Sequence, residues 1–245
     1  MSVRTWRRPS GFAIGLTALG MTAFGALGVW QLDRADQKRQ LLAAFAGAAQ
    51  APLEELAAVR AGVDATRYPH VRVGGHYVDR RGYLLDEQVH AGRVGVHAIG
   101  VFAPAGGGDD LLLVDRGWVA WNHAPGTTPA LPALDEGETT LTGIYAPYPG
   151  GGLRLGNQLQ RQATWPKLTL YLDDAQVGAD LGHRLLPRML LLDPAADSGF
   201  VREWKPALLP PERHLAYAVQ WFALALAAAV IFIVLHWRKL EADRG

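Results

Sequence analysis

Two long apolar stretches without a charged residue, one near each end of the 245-residue chain, constrain its fold most strongly. The first covers residues 11–30 and the second covers residues 215–235. At a rise of about 1.5 Å per residue, a helix of about 20 residues spans the roughly 30 Å hydrocarbon core of a bilayer. Trp237, Arg238 and Lys239 follow the second stretch, as aromatic and cationic residues do at a membrane surface. The pattern predicts two transmembrane helices.

A cleaved signal peptide is the alternative interpretation of the first stretch. Arg4, Arg7 and Arg8 form a basic start, and residues 23–25 lie at the spacing of a cleavage site. The apolar run is longer than a usual signal core and continues to Trp30. This length favours a helix that stays in the membrane.

Small residues on both stretches predict that the two helices pack against each other. Helix backbones approach closely where glycine, alanine and threonine recur at spacings of three and four residues. In the first stretch these residues are Gly11, Gly15, Ala18, Thr22 and Gly25, and in the second they are Ala216, Ala223 and Ala227.

The short basic tails at both ends favour a cytoplasmic location for both termini. Short tails follow the positive-inside rule, whereas long translocated domains escape it. We therefore expect a cytoplasmic tail (1–10), a first transmembrane helix (11–32), an extracytoplasmic domain (33–213), a second transmembrane helix (214–237) and a second cytoplasmic tail (238–245).

The charge balance and the absence of cysteine exclude several functions. The formal net charge is +1 with 19% charged residues, so the chain has no broad basic surface for nucleic acid. Without cysteine it cannot form disulfides, thiolate nucleophiles, iron–sulfur clusters or a haem attachment through paired cysteines.

The middle of the chain changes from helical to strand-like periodicity. Residues 33–50 continue the first helix, and residues 54–60 predict a short second one. Seven short apolar runs bounded by Gly, Pro or Asp then predict strands over 71–77, 82–89, 96–102, 111–119, 139–145, 168–172 and 189–192. Further predictions are a hairpin tip over 106–110, an irregular loop over 123–137 and a surface helix over 174–181.

These elements predict the fold class. It is a membrane protein in which two transmembrane α-helices flank a mainly antiparallel β extracytoplasmic domain, barrel or sandwich-like, with minor helices.

The middle segment lacks the spacings that hydrolytic or phosphate chemistry requires. It has no helix with paired histidines, no serine on a glycine-flanked elbow and no glycine-rich loop ahead of a helix. The nearest polar cluster is Asp86, Glu87 and His90, with His97 further along. Because strand residues alternate between faces, we interpret this cluster as solvated sheet residues that need not converge.

The entry to the second apolar stretch carries the candidate site. His214, Tyr217 and Trp221 recur at spacings of three and four residues and share one helical face. An imidazole at the membrane surface can ligate iron while aromatic rings flank a flat macrocycle, which makes the group compatible with haem. An interfacial belt of His, Tyr and Trp is the alternative. Gln31 can border the same pocket, whereas His236 lies roughly 33 Å further along the helix.

Three motifs resemble the surfeit-one family of cytochrome oxidase assembly factors. They are LGVWQLDR at residues 27–34, VDRGWV at residues 114–119 and HLAYAVQWF at residues 214–222. Together they occur in the family's order, and the resemblance covers nearly the whole chain.

The resemblance implies an inner-membrane protein whose soluble domain faces the periplasm or intermembrane space, and which acts without catalytic turnover. It implies help in maturing the catalytic subunit of cytochrome c oxidase, with haem a as a transiently bound cofactor and His214 as the axial iron ligand. The expected partners are that subunit, haem a synthase as a second candidate, and membrane lipid.

Arg116 has two interpretations. It can contact the oxidase subunit or haem propionates, which a guanidinium pairs well. Its neighbours favour a structural role, with Gly117 permitting an unusual backbone and Trp118 filling the core.

Three other functions are alternatives: a membrane-anchored structural chaperone without haem, an anchored periplasmic enzyme, and a sensor. The missing catalytic spacings argue against an enzyme. A sensor needs an output segment, whereas only a short tail follows Trp237.

Overall fold

The computed structural model describes residues 4–6, 8–60, 62–124, 127–134, 137–149, 159, 162–204 and 210–239. The helices are α1 (Gly11–Ala48), α2 (Leu56–Val59), α3 (Asp174–Leu181) and α4 (Pro211–His236). The strands are β1 (Arg4–Trp6), β2 (Glu54–Glu55), β3 (His70–His90), β4 (Arg93–Pro104), β5 (Leu112–Ala120), β6 (Thr139–Ala146), β7 (Lys167–Thr169), β8 (Met189–Leu192) and β9 (Trp237–Lys239). The chain divides into a helix pair, Met1–Leu41 with Leu208–Gly245, and a β-domain, Leu42–Ala207.

Helices α1 and α4 are long and apolar enough to cross a membrane. Helix α1 begins after Ser10, whose Oγ accepts a hydrogen bond from the Ala13 N–H, and α4 begins with Pro211, whose fixed φ suits a first turn. Only 6% of the apolar window of each helix is buried by protein. Apolar helices that protein leaves uncovered are typical of a lipid environment, so the predicted fold class is confirmed.

The two helices pack against each other, as predicted. The rings of Phe24 and Trp221 stack with centroids 5.8 Å apart and an interplanar angle of 22°. The ring of Phe222 covers Gly28 so closely that a Cβ atom there would lie 2.5 Å from Cε1. Ala218 on α4 is buried. The contact therefore consists of a pair of stacked aromatic rings and a ring seated over Gly28.

The small-residue faces proposed for this packing are wrong. A Cβ atom added at Gly11, Gly15 or Gly25 would meet nothing within 4 Å. Ala216, Ala223 and Ala227 on α4 are exposed. The bulky rings of α4 need the one glycine that faces them, which places the contact on a different side of α1.

Two short strands that the sequence did not predict join the ends of the helix pair. Strand β1 pairs antiparallel with β9, and Trp6 lies opposite Trp237. The Trp6 ring also lies 5.9 Å from the ring of His236. Because β1 precedes α1 and β9 follows α4, the two helices run antiparallel.

The β-domain is a closed barrel. Strands β3, β4, β5, β8 and β6 pair in this order, and β6 pairs back with β3. Within this ring only β5 and β8 are parallel, while β2 and β7 add to β3 in parallel. Because the ring is closed, it has no open strand edge. Of the two predicted forms, barrel and sandwich, the domain is therefore a barrel.

Element bounds differ from the predictions where one strand bends. The predicted runs 71–77 and 82–89 form the single strand β3, whose pairing with β4 shifts register between Tyr77 and Gly82. The residues read as a turn are therefore an irregularity within one strand. Strand β7 ends at Thr169, short of the predicted bound, and the helix predicted over 54–60 is reduced to α2. Helix α3 matches its prediction, although Val177 is fully buried.

Buried polar groups fasten loops and α3 to the barrel. The Arg188 guanidinium donates to the backbone carbonyl of Arg67 at 2.7 Å, and burial lowers the pKa of Arg188. Lys167 and Asp180 form a buried ion pair, and the Tyr83 hydroxyl donates to the same carboxylate at 3.0 Å. Burial, followed by this carboxylate, raises the pKa of Tyr83.

Candidate functional site

His214 lies in the first turn of α4, and a side chain of α1 fixes one of its ring nitrogens. Its Nδ1 lies 2.8 Å from Oε1 of Gln31. An amide oxygen can only accept a hydrogen bond, so Nδ1 carries the proton. In the neutral form of the ring, the lone pair is then on Nε2.

The Nε2 atom of His214 is buried and has no hydrogen-bond partner among the described residues. A buried acceptor without a donor costs about 1–3 kcal/mol in a folded protein. Neutral imidazole nitrogens of this kind are the commonest metal ligands in proteins, and the opposite nitrogen of such ligands almost always donates to an oxygen. The donor set at His214 therefore fits an axial ligand to haem iron.

The aromatic residues deeper along the helix pair provide an apolar surface two helical turns from this histidine. Trp221 lies seven residues beyond His214, two helical turns along the same face, and stacks on Phe24. Tyr217 is half exposed. The contact between the two helices thus contains His214, Gln31, Trp221 and Phe24. The assignment of Tyr217 as a cofactor contact stays a prediction.

The sequence interpretation missed two parts of this arrangement. The sequence indicates only that Gln31 can border the pocket; its direct bond to His214 joins residues 183 positions apart and has no local signal. Phe24 was not proposed at all. A signal was present, because Phe24 precedes Gln31 by seven residues and so shares its helical face.

Arg116, the candidate partner contact, is buried in the β-domain. Its Nη2 donates to the backbone carbonyls of Pro132 and Ala133 at 2.8 and 2.7 Å. Its guanidinium carbon lies 4.8 Å above the Phe200 ring. These contacts attach the 127–134 segment to β5, and a role at a partner surface stays a prediction.

The residues around Arg116 have the structural roles expected for them. Gly117 has a φ of +126°, and an added Cβ would lie 2.6 Å from Cβ of Phe200. Its N–H donates to the Asp115 carboxylate at 3.0 Å. Trp118 is buried and donates through Nε1 to the backbone carbonyl of Gln88 at 3.0 Å. The sharp backbone at Gly117 therefore places Trp118 in the core.

The interpretation of the polar cluster as solvated sheet residues is wrong for two members. Asp86 is buried and pairs with Nε2 of His123 at 2.7 Å. His97 is partly buried, and its Nδ1 lies 3.0 Å from a carboxylate oxygen of Asp115. The partners come from distant segments, so local alternation could not indicate them. Across the described ranges, no group of three or more His, Asp or Glu side chains converges as a metal site.

Two apolar helices that meet at a partly buried histidine, with a closed barrel between them in sequence, define a membrane-anchored β-barrel protein. A search for related families matches residues 18–226 to the SURF1 family. The chain belongs to the SURF1 family.

Curated relatives match over nearly their whole length. A SURF1-like protein of Rickettsia conorii is 23% identical over 93% of this chain and 92% of its own. One of Rickettsia bellii is 25% identical over 89% of this chain and 88% of its own. A third, of Monosiga brevicollis, is 24% identical over 94% of this chain and 89% of its own. The likeness therefore includes both helices and the barrel.

Proposed function

We propose that this protein is an assembly factor for haem-copper cytochrome c oxidase that holds haem a at His214 and passes it to the catalytic subunit. One observation carries the proposal. The Nε2 atom of His214 is buried without a partner while Nδ1 is held by Gln31. Membership of the SURF1 family supports the oxidase as the destination.

Each residue of the site has a part in holding such a cofactor. His214 would supply the nitrogen that ligates the iron, and Trp221, braced by Phe24, would supply an aromatic surface for a flat apolar macrocycle. The haem would supply an iron able to exchange its ligands. A single protein ligand suits a carrier, because the acceptor can displace it by ligand exchange.

The proposal includes a location and a reaction class. The protein crosses the inner membrane twice, with both tails in the cytoplasm and the barrel domain in the periplasm. The short basic tails favour this orientation. It acts by binding and release without chemical turnover. Haem a synthase is the candidate donor, and the oxidase catalytic subunit is the acceptor.

Replacement of the proposed ligand tests the assignment. We expect His214→Ala, purified from cells that make haem a, to contain less than about a tenth of the haem found in the parent, because the iron loses its protein ligand. The measurement is haem content per protein with the visible absorption spectrum. An unchanged content and spectrum in His214→Ala would rule out the assignment.

His236→Ala is the matched control for this experiment. His236 lies at the opposite end of the same helix, and its Nδ1 donates to the backbone carbonyl of Phe232 at 2.7 Å. We expect parental haem content in this variant. If the parent protein is colourless but deletion of its gene still lowers oxidase activity, the protein is a structural chaperone that binds no haem, and the carrier function is wrong.

A further inference from the structure

The Gln31 amide lies on the face of α1 that α4 covers. Gly28 and Ala35, one turn to either side, are both buried. Gln31 is partly buried between them, and its Oε1 reaches Nδ1 of His214 at 2.8 Å. A polar side chain in an otherwise apolar helix contact is costly unless it has a partner, and here the partner is the imidazole.

This contact selects between the two neutral forms of the His214 ring. The ring nitrogen that carries the proton is set by the hydrogen bond that it makes. With the amide oxygen of Gln31 as acceptor, the proton is held on Nδ1 and the ring plane is fixed by the bond direction. None of the described residues forms a hydrogen bond with Nε2, so the lone pair of that nitrogen is not engaged.

We propose that Gln31 is a positioning residue: it holds His214 in the Nδ1–H form and in one ring orientation, so that Nε2 is presented to the haem iron. Gln31 acts through the imidazole. The role toward haem rests on the proposed function, whereas the choice of tautomer can be measured in the protein without haem.

An amide suits this position in a membrane helix. A carboxylate would accept the same hydrogen bond, but its charge would have to leave water. A neutral acceptor orients the ring without drawing the proton strongly away from Nδ1, which keeps Nε2 a moderate ligand. A moderate ligand is appropriate where the cofactor must leave again.

The first arm of the test measures the tautomer. The full-length protein in detergent, labelled with ¹⁵N-histidine and free of haem, gives imidazole nitrogen resonances, and those of His214 are identified by their loss in His214→Ala. We expect Nδ1 to be protonated in the parent and Nε2 to gain proton occupancy in Gln31→Leu. Leucine is apolar and close in size to glutamine, so α1 is expected to remain folded in the membrane.

The second arm measures binding of added iron protoporphyrin IX by absorption titration. We expect Gln31→Leu to bind about 10- to 100-fold more weakly than the parent, the usual effect of removing a group that orients a metal ligand. Gln31→Glu, which keeps an acceptor of the same length, is expected to restore the Nδ1–H tautomer. Gln40→Leu is the control, since the exposed Gln40 amide of the same helix bonds only to Asp36 among the described residues.

The outcomes separate the two claims. Protonation of Nε2 in the parent, or an unchanged tautomer together with unchanged affinity in Gln31→Leu, would overturn the role of Gln31 and leave the proposed function standing. A parent with the expected tautomer that binds no porphyrin would overturn the proposed function and, with it, the role of Gln31 toward haem.

Discussion

Two side-chain atoms in the described part of the chain are buried without a hydrogen-bond partner, His214 Nε2 and the Tyr145 hydroxyl oxygen. Their surroundings differ. The opposite nitrogen of His214 is oriented by Gln31, whereas Tyr145 lies in the apolar cluster inside the barrel. An unpaired atom with an oriented ring points to a ligand, and an unpaired hydroxyl within a core costs stability without such a role. Replacing each residue should therefore have a different effect.

Tyr145→Phe is expected to leave the free energy of unfolding at neutral pH unchanged or raise it by about 1 kcal/mol, because it removes an unpaired hydroxyl. Burial raises the pKa of Tyr145 to about 12 in the folded protein, with a smaller opposing effect of the nearby Arg188, against about 10 in the unfolded chain. Between these values the unfolded chain releases the proton first, so the stability present below pH 10 is lost as pH rises. The variant should lose less stability in that range, measured by denaturant unfolding in detergent.

Tyr148→Phe is the control for this prediction. The Tyr148 hydroxyl donates to the backbone carbonyl of Leu186 at 2.7 Å. Its removal should lower the free energy of unfolding by about 1 kcal/mol, because a buried carbonyl loses its donor. Equal destabilisation by the two variants would contradict the distinction between them.

At the scale of helices and strands, the sequence predicted which segments form elements better than it predicted their contacts. An uncharged run of 20 residues has few alternatives to a membrane helix, so α1 and α4 were found. The face through which α1 and α4 pack was not predicted correctly. A row of small residues does not show whether an aromatic ring of the other helix will fill the space beside it. Strand β3 was divided in two because Gly82 and the charged residues before it resemble a turn.

The helix contact makes a prediction at Gly28. Leucine at this position would overlap the ring of Phe222, since even a Cβ atom would lie 2.5 Å from it. We expect Gly28→Leu to separate the helices enough to break the Gln31–His214 bond, so that the ¹⁵N signature of Nδ1 protonation is lost and porphyrin affinity falls about tenfold or more.

Gly15→Leu is the matched control, because an added Cβ at Gly15 meets nothing within 4 Å. It should keep the parental tautomer and affinity. If Gly15→Leu disrupts the site and Gly28→Leu does not, the helices pack through the small-residue face that the sequence first indicated.

At the scale of the whole molecule, the fold class and the family could be predicted, whereas barrel closure and the arrangement of the site could not. Ordered motifs and apolar lengths are local properties, so one sequence is enough to find them. Closure depends on pairing of β3 with β6, and the site depends on Gln31 meeting His214, both contacts between distant segments. The same holds for Asp86, which local alternation places in solvent and which pairs with the distant His123. The barrel closure and the candidate site thus both depend on contacts between segments that are distant in sequence.

The proposed ligation of the haem iron by Nε2 of His214 can be observed by resonance Raman spectroscopy of the reduced, haem-loaded protein, through the iron–histidine stretching band. We expect one such band that shifts when the protein contains ¹⁵N-histidine, persists in His236→Ala and disappears in His214→Ala. Bound haem without a histidine band in the parent, or a band that survives in His214→Ala, would contradict it.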